Sequence, residues 1–552
     1  MASTITQLIN NNFGGIRRKN SGFSDELISC SDCQNVELFF TKLNSGIGIR
    51  TAAGNSAITT TTTGGVTSSC IPTDEQVIEV FSSNQDGTEK IFVYTETTNE
   101  TPNQGKLYTY TSLTNTLTQF DLTAALGSGG KLTATGKACG CDFTQGILDM
   151  FVFSNGAEVI YIYSNTETHT APAVESSSNI HLVDENGDDV FGLGLYVFDS
   201  RLWIFNGKTL WYSQQAECRN FTPGQQVTLT SPGYIEFVKN ITAIHPYLGS
   251  LAVFHSNSSS LVTVDTSSTD MPKFIASDES PGGCASYRSL VFHGTDLYFY
   301  DDTKKGVFSF KQIVNGDKTL GDNIAVDLQE ELVKIKQQDL HLIKALSVVT
   351  EDRNEVWMMV PVNVDDIEDD VVKERTLILI FDYIRGEWVK RKCQKINTIV
   401  IFENDLFSAG KEIYSEYTGE TFDGEYIQHF YNCSIFNYGQ DNTLKITKFP
   451  PRLTVDGNYK CHFWVKYIKN YQALKTPKVK EIQSRQIPNV LVYDMGMNWD
   501  EEYLYEPNAL NTIVKIPSAT FKALEICFYT TAKEQQFAIK TIEFSKLKVK
   551  QV

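Results

Sequence analysis

Between residues 91 and 417 the chain repeats one pattern: a short apolar strand, a turn built on Gly, Asn or Asp, and a second strand ending in a hydroxyl or aromatic residue. The clearest copies are LDMFVFSNGAEVIYIYS from Leu148, YVFDSRLWIFNGKTLWYS from Tyr196, IHPYLGSLAVFHSNSSSLVTV from Ile244, YRSLVFHGTDLYFYDDTKKGVFSF from Tyr287 and TIVIFENDLFSAGKEIYSE from Thr398. With Asn155, Asp199, Gly249, Gly294 and Asn404 taken as the first turn of each copy, three successive spacings are 44, 50 and 45 residues. A four-stranded propeller blade uses roughly 40 to 50 residues. The 110 residues from Gly294 to Asn404 leave room for two units, and TLILIFDYIRGEWVKR from Thr376 provides a hairpin there.

In LVFHGTDLYFYDD, Leu290, Phe292, Leu297 and Phe299 take alternate positions, so a pair of strands gives one face to a neighbour while the turn stays solvated. A lone blade cannot bury that face, whereas a closed ring of blades buries it and leaves no long strand edge. The expected fold is therefore all-β: a β-propeller built from four-stranded blades, with an added C-terminal β-sandwich-like domain and few helices. The competing architecture is a large β-sandwich with irregular hairpins.

The edges of the pattern suggest three regions. Residues 1–70 are not blade-like; they hold FGGI, RRKNSGF, a strand-like VELFFTKL, and ITTTTTGG from Ile58, a polar low-complexity loop or extended edge strand. Residues 71–424 carry the propeller. Residues 425–552 have longer, less regular hairpins and form the C-terminal β domain, whose last strand, within FAIKTIEFSKLKVK, is a candidate to return to the propeller. One segment predicts a helix: in AVDLQEELVKIKQQDLHL, Leu328, Leu332 and Ile335 fall at i, i+4 and i+7, and Asp327 with Glu330 makes a capping box.

Composition limits the partners. The chain has 552 residues, 25 Tyr and 33 Phe, a net charge of -18 and a pI near 5.0, so as a whole it repels nucleic acid and anionic membranes. It has no run of 18 apolar residues, and its start, MASTITQLINNNFGG, lacks the apolar region of a secretory signal, so no membrane span is expected and synthesis is placed in the cytoplasm.

The candidate chemistry is sparse. Eleven cysteines without a signal peptide read as reduced thiols. Cys30 with Cys33 and Cys139 with Cys141 could together offer four thiolates to zinc, but about 105 residues separate the pairs and no histidine lies near either, so buried thiols are preferred. DENGDD places Asp184, Asn186 and Asp188 at calcium-loop spacing, with Asp189 where the turn glycine belongs, and a solvated turn is favoured. His245 and His293 read as hydrogen-bonded structural residues. Lys-rich KTPKVKEIQSR from Lys475 suits either an acidic partner or an edge strand guarded by lysines. P-loop, HExxH and GxSxG patterns are missing. Trp203, Trp357 and Trp388 lie in strand-like segments, either as core or as sugar-stacking platforms. The expectation is no catalytic turnover, no cofactor and no metal.

In its order of phrases the sequence resembles the tail nozzle proteins of short-tailed bacteriophages, also called tail tubular protein B or tail stabilisation proteins. The resemblance runs through FGGIRRKNSGF with GIGIR, FDSRLWIFNGKTLWYSQQAE, YRSLVFHGTDLYFYDDTKKGVFSF, EDRNEVWMMVPV, FDYIRGEWVKR and FKALEICFYTTAKEQQFAIKTIEFSKLKV, an ordering of weak motifs over most of the chain. It implies a structural virion protein of the tail, assembled in the host cytoplasm as a six-fold homo-oligomeric ring. Tail adaptor or portal-proximal proteins would be its partners, and viral DNA would pass through without sequence-specific binding. An acidic wall that does not capture phosphate fits such a conduit. The acidic loop NVDDIEDDVV, with Asp365, Asp366, Glu368, Asp369 and Asp370, is then the candidate channel or gate loop, although an outward-facing solvating loop is the stronger expectation.

The alternative is a glycan-binding or glycoside-hydrolysing propeller, or a host-receptor-binding tail protein. Sialidase propellers carry S-x-D-x-G-x-T-W turns, and the nearest approach, Ser83, Gln85 and Gly87, lacks the Asp.

Overall fold

The computed structural model describes residues 30–40, 47–61, 67–122, 131–163, 190–221, 228–265, 274–315, 320–368 and 371–433, apart from a few single positions, and shorter stretches outside these, chiefly within 443–483 and 512–551. The chain divides into two compact units: Asn55–Ile378 with Cys393–Glu416, and Met1–Gly54 with Leu379–Lys392 and Tyr417–Val552.

The first unit is a β-propeller. Among the described residues its inner strands, in chain order, are Glu75–Gln85, Cys139–Gln145, Leu193–Phe198, Ile241–Tyr247, Leu290–His293, Lys344–Val349 and Ile396–Phe402, each opening an antiparallel sheet. We number these blades 1 to 7. Blade 5 has three strands and continues into the helix Phe310–Asn315. Blade 6 continues from Lys344–Val349 into Asn354–Glu368 and the part of Val371–Asp382 that lies in this unit. Blade 7 takes its outermost strand from the other end of the sequence: Asn55–Ala57 pairs with Ile413–Glu416. The chain thus fastens its last blade with a segment that precedes its first, and the ring is held shut by backbone hydrogen bonds. The propeller accordingly starts at Asn55 and not at residue 71, and its last strand ends at Glu416.

Alternation along single strands builds the core. In Leu148–Ser154, Met150 and Val152 pack with Leu195, Leu202 and Ile204 of blade 3, while Phe151 and Phe153 pack with Phe92 and Tyr94 of blade 1. Successive side chains point to opposite faces of a sheet, and here both faces are covered. That is why MFVF and VIYIY read as continuous apolar runs rather than as apolar-polar alternation. Val80, Ile91 and Tyr110 of blade 1 pack with Val400 and Ile413 of blade 7, closing the circle.

The tight inner hairpins have two successive left-handed residues, as two-residue turns matched to strand twist require. Asp199 and Ser200 (φ 51° and 54°), Leu248 and Gly249 (46° and 79°) and Glu403 and Asn404 (49° and 66°) are examples. The turn at Asn155 differs from the others chosen as anchors, because it joins the second and third strands of blade 2, not the first and second. The spacing from Asn155 to Asp199 therefore mixes two turns.

The expected helix is broken into Val326–Leu328, Gln329–Leu332 and Gln337–Leu342, and no side-chain cap forms at its start. Leu328, Leu332 and Ile335 are nonetheless buried, so the apolar stripe was legible where the helix length was not. ITTTTTGG enters a hairpin, Thr59–Thr61 with Thr67–Ser69.

The second unit joins both ends of the chain. One sheet has the order Thr512–Lys515, Arg452–Val455, Ala538–Ser545, Ile47–Thr51, Val36–Phe40, and Cys30–Gln34 pairs with Phe430–Cys433 in another. The expected separation of residues 1–70 from 425–552 is thereby corrected: their strands interleave in common sheets. The last strand, Leu547–Gln551, pairs with Ser3–Thr4 and Thr443–Thr447, and so does not return to the propeller. Phe463, Phe528 and Phe537 pack ring to ring in the core. Lys478–Gln483 pairs only with His462–Lys469 among the described strands, an edge position suited to its lysines. Among the described residues no helix is long and apolar enough to cross a membrane.

Candidate functional site at the propeller axis

Seven inner strands converge on the propeller axis, and two groups of side chains meet there. The first is a lock of charges. Glu79 stands in the apolar run QVIEVF of blade 1 and is 3% exposed. One carboxylate oxygen lies 3.0 Å from Nε of Arg288, at the entry to blade 5. The other accepts from Nζ of Lys344 in blade 6 and from the hydroxyl of Thr398 in blade 7. Arg288 also donates to the Asn397 carbonyl at 2.7 Å, and the Asn397 amide donates to the Val77 carbonyl at 2.8 Å. Beside Arg288, the Tyr287 hydroxyl donates to the Ala138 carbonyl at 3.0 Å, reaching blade 2. Ser289 fixes this turn, accepting from the Ser286 amide at 3.1 Å and donating to its carbonyl at 2.8 Å.

Burial pushes the Glu79 carboxyl up, but Arg288 and Lys344 outweigh it, and the group lies below its ordinary value. Burial also pulls Lys344 down, against the attraction of Glu79. An ionised carboxylate with three side-chain partners is neither a proton donor nor a free base. This cluster binds blades 1, 5, 6 and 7 together.

The second group is a rank of rings. Tyr196, His245 and Phe292 occupy the inner strands of blades 3, 4 and 5. The Tyr196 and His245 rings are 4.7 Å apart, and His245 stacks on Phe292 at 5.9 Å and 15°. Phe292 is 39% exposed, and the other two are half-buried. Nδ1 of His245 lies 2.7 Å from the Pro246 carbonyl. A carbonyl only accepts, so Nδ1 carries the proton and Nε2 of the neutral ring is left as an acceptor. Burial holds the His245 pKa below its usual value and pushes the Tyr196 hydroxyl above its own. At neutral pH the rank is an uncharged aromatic surface with hydrogen-bonding edges.

The residues singled out in the sequence fall elsewhere. Asp365, Asp366 and Glu368 belong to the long strand Asn354–Glu368 and not to a loop; Asp369 and Asp370 lie outside the described residues. Asp184, Asn186, Asp188 and Asp189 are also outside them. Cys30 and Cys33 lie in one unit and Cys139 and Cys141 in the other, where burial pushes the Cys30 and Cys141 thiols well up and Cys139 to about 12. Trp203, Trp357 and Trp388 are 0%, 0% and 3% exposed, which makes them core and removes them as sugar platforms. His293 is buried with Nδ1 2.8 Å from the Ser347 hydroxyl, as a structural histidine should be, whereas His245 joins the aromatic rank.

Sequence reasoning passed over Glu79, Arg288 and Lys344. The signal was a lone charge inside an apolar strand, Glu79 between Ile78 and Val80 and Lys344 between Ile343 and Ala345, since such charges are tolerated only when paired.

No protein-family model and no curated protein matches the chain. Among solved structures it is similar to Hsv2 of Kluyveromyces lactis, at 12% identity over 66% of this chain and 98% of that one, with a TM-score of 0.27. It is also similar to Hsv2 of Kluyveromyces marxianus (11% identity, 58% and 99% covered, TM-score 0.23) and to the CNH domain of AfRom2 (11%, 53% and 95%, 0.21). The β-propeller fold rests on the chain's own sequence of antiparallel sheets. The family resemblance read from the motifs is corrected by these comparisons: the structural neighbours are yeast Hsv2 and a CNH domain, not phage tail nozzle proteins. The tail role, the six-fold ring and the phage partners rested on that resemblance and have no support.

Proposed function

We propose that this protein is a non-catalytic β-propeller binding protein that holds an uncharged, polyhydroxylated ligand of the glycan class against Tyr196, His245 and Phe292. The observation that carries this reading is the rank itself: three rings in contact across three inner strands, partly exposed and neutral. Sugar rings present C–H faces that stack on aromatic rings, and hydroxyls that pair with acceptors such as His245 Nε2 and donors such as the Tyr196 hydroxyl. A ligand of full charge would find no counter-charge in these side chains. The buried inner-strand carboxylate Glu79 is committed to Arg288, Lys344 and Thr398, which supports binding without turnover.

The test is a neutral-glycan array followed by calorimetry with the strongest hit. Phe292→Ala should weaken binding about tenfold or more, the range of an aromatic contact at a site, while Phe292→Trp retains it. Absence of any hit for the folded wild-type protein, or an unchanged affinity for Phe292→Ala, overturns the reading. New reducing ends after incubation with the bound oligosaccharide would overturn its non-catalytic part.

A further inference from the structure

Where the ring closes, blade 7 and blade 1 enclose a cavity of about 390 Å³ that opens to solvent. Its walls come from three distant parts of the sequence: the fastening segment at Thr59, blade 1 at Tyr110, and the first hairpin of blade 7 at Phe402, Glu403, Asp405 and Phe407. The cavity therefore exists only in the closed ring.

Two properties define what fits. Tyr110, Phe402 and Phe407 give it an aromatic interior, and Tyr110 is held in place by donating its hydroxyl to Asn115 Oδ1 at 2.8 Å. Glu403 and Asp405, both exposed, give it a carboxylate rim, and no Lys, Arg or His is among the lining residues. The rim is built rather than incidental. Glu403 and Asn404 are the left-handed pair of the hairpin turn, and the Glu403 amide donates to Glu89 Oε2 of blade 1 at 2.9 Å. Glu89 accepts in turn from Ser82 at 2.6 Å, so the turn is pinned across the seam.

An aromatic interior beneath uncompensated carboxylates attracts a cation, because ring faces and carboxylates both favour positive charge. Aromatic walls also favour an aliphatic stem over a fully hydrated inorganic ion, and the volume is in the range of small-molecule sites. We propose that the seam cavity binds an organic cation on an aliphatic stem, of the guanidinium or alkylammonium class. Such a group can come from a free amine or from an arginine or lysine side chain of a peptide. The proposal does not rest on the axial rank and is independent of glycan binding.

The experiment titrates the full chain with agmatine, with N-acetyl-arginine methylamide and with its neutral citrulline counterpart, following binding by NMR line broadening of the small molecule. Agmatine and the arginine derivative should both bind, and citrulline should bind about tenfold more weakly or not at all. Tighter binding of the arginine derivative points to a peptide source, and tighter binding of agmatine to a free amine. The double substitution Glu403→Gln, Asp405→Asn should abolish the preference for the cation over citrulline, with the circular dichroism spectrum unchanged. As a second variant, Ser112→Arg on the cavity wall introduces a tethered cation and should block binding. Equal binding of citrulline and arginine derivatives, or cation binding unaffected by both variants, overturns the proposal.

Discussion

Glu79 of blade 1 and Arg288 at the entry to blade 5, remote in sequence, face each other at 3.0 Å, each at most 5% exposed in its side chain. A buried pair of this kind is weak evidence for net stability, since desolvation offsets much of the attraction. Its rupture is another matter, because the surviving charge remains buried. Arg288→Ala should therefore destabilise the propeller by about 3–5 kcal/mol, measured as a shift in the denaturant midpoint. A loss below about 1 kcal/mol, the range of a surface pair, would mean that water or Lys344 alone satisfies Glu79.

The same carboxylate makes stability depend on acid. Its folded pKa is depressed by Arg288 and Lys344 beyond the opposing effect of burial, so the folded state binds its proton less readily than the unfolded state does. The contribution is fully present above the unfolded value of about 4.3 and is lost as pH falls through the folded value. Glu79→Gln should flatten the stability profile in that window, and an unaltered slope between the two proteins would contradict the assignment.

His429, in the second unit, acts in a different pH window. Burial lowers its pKa to about 4, Arg391 adds to this, and its ring stacks on Phe422. The folded pKa lies below the unfolded value of about 6.5, so stability is complete above that value and declines as pH falls toward 4, by roughly 3 kcal/mol in all. His429→Gln should remove this decline while Glu79→Gln leaves it in place. Unfolding curves at pH 7 and pH 5 distinguish the two.

Closure of the ring depends on a short strand. Asn55 donates through Nδ2 to Glu416 at 2.8 Å, and Glu416 also accepts from Ser408, all of them buried. Glu416→Ala leaves two buried donors without a partner and should cost about 2–4 kcal/mol. Hydrogen exchange checks the mechanism: amides of Ile413–Glu416 should lose protection before those of the inner strand Ile396–Phe402. Uniform loss across blade 7 would mean that the fastening strand does not open separately.

Trp203 lies at the interface of blades 3 and 4, edge-on to Phe274 at 4.9 Å, with its indole N–H donated to the Phe198 carbonyl at 2.9 Å. Trp203→Ala should destabilise by about 3–5 kcal/mol through lost contacts and a residual cavity. Acrylamide should barely quench its fluorescence in the folded protein, and efficient quenching would show that the interface breathes.

The sequence by itself determined the blade. Apolar hairpins with turn residues that accept left-handed backbone are local instructions. Burial of Leu328, Leu332 and Ile335 was legible for the same reason, since the spacing of an apolar stripe is a local property. What the sequence could not carry is how the circle closes. That Asn55–Ala57 completes blade 7, that strands from both ends of the chain share sheets in the second unit, and that Glu79 meets Arg288, Lys344 and Thr398 are long-range pairings, selected by which faces and charges remain uncovered after the hairpins form. The axial rank and the seam cavity are of this kind too. His245 reads as an ordinary strand histidine until Tyr196 and Phe292 are brought beside it, and Glu403 and Asp405 read as a solvated turn until ring closure sets Tyr110 against them.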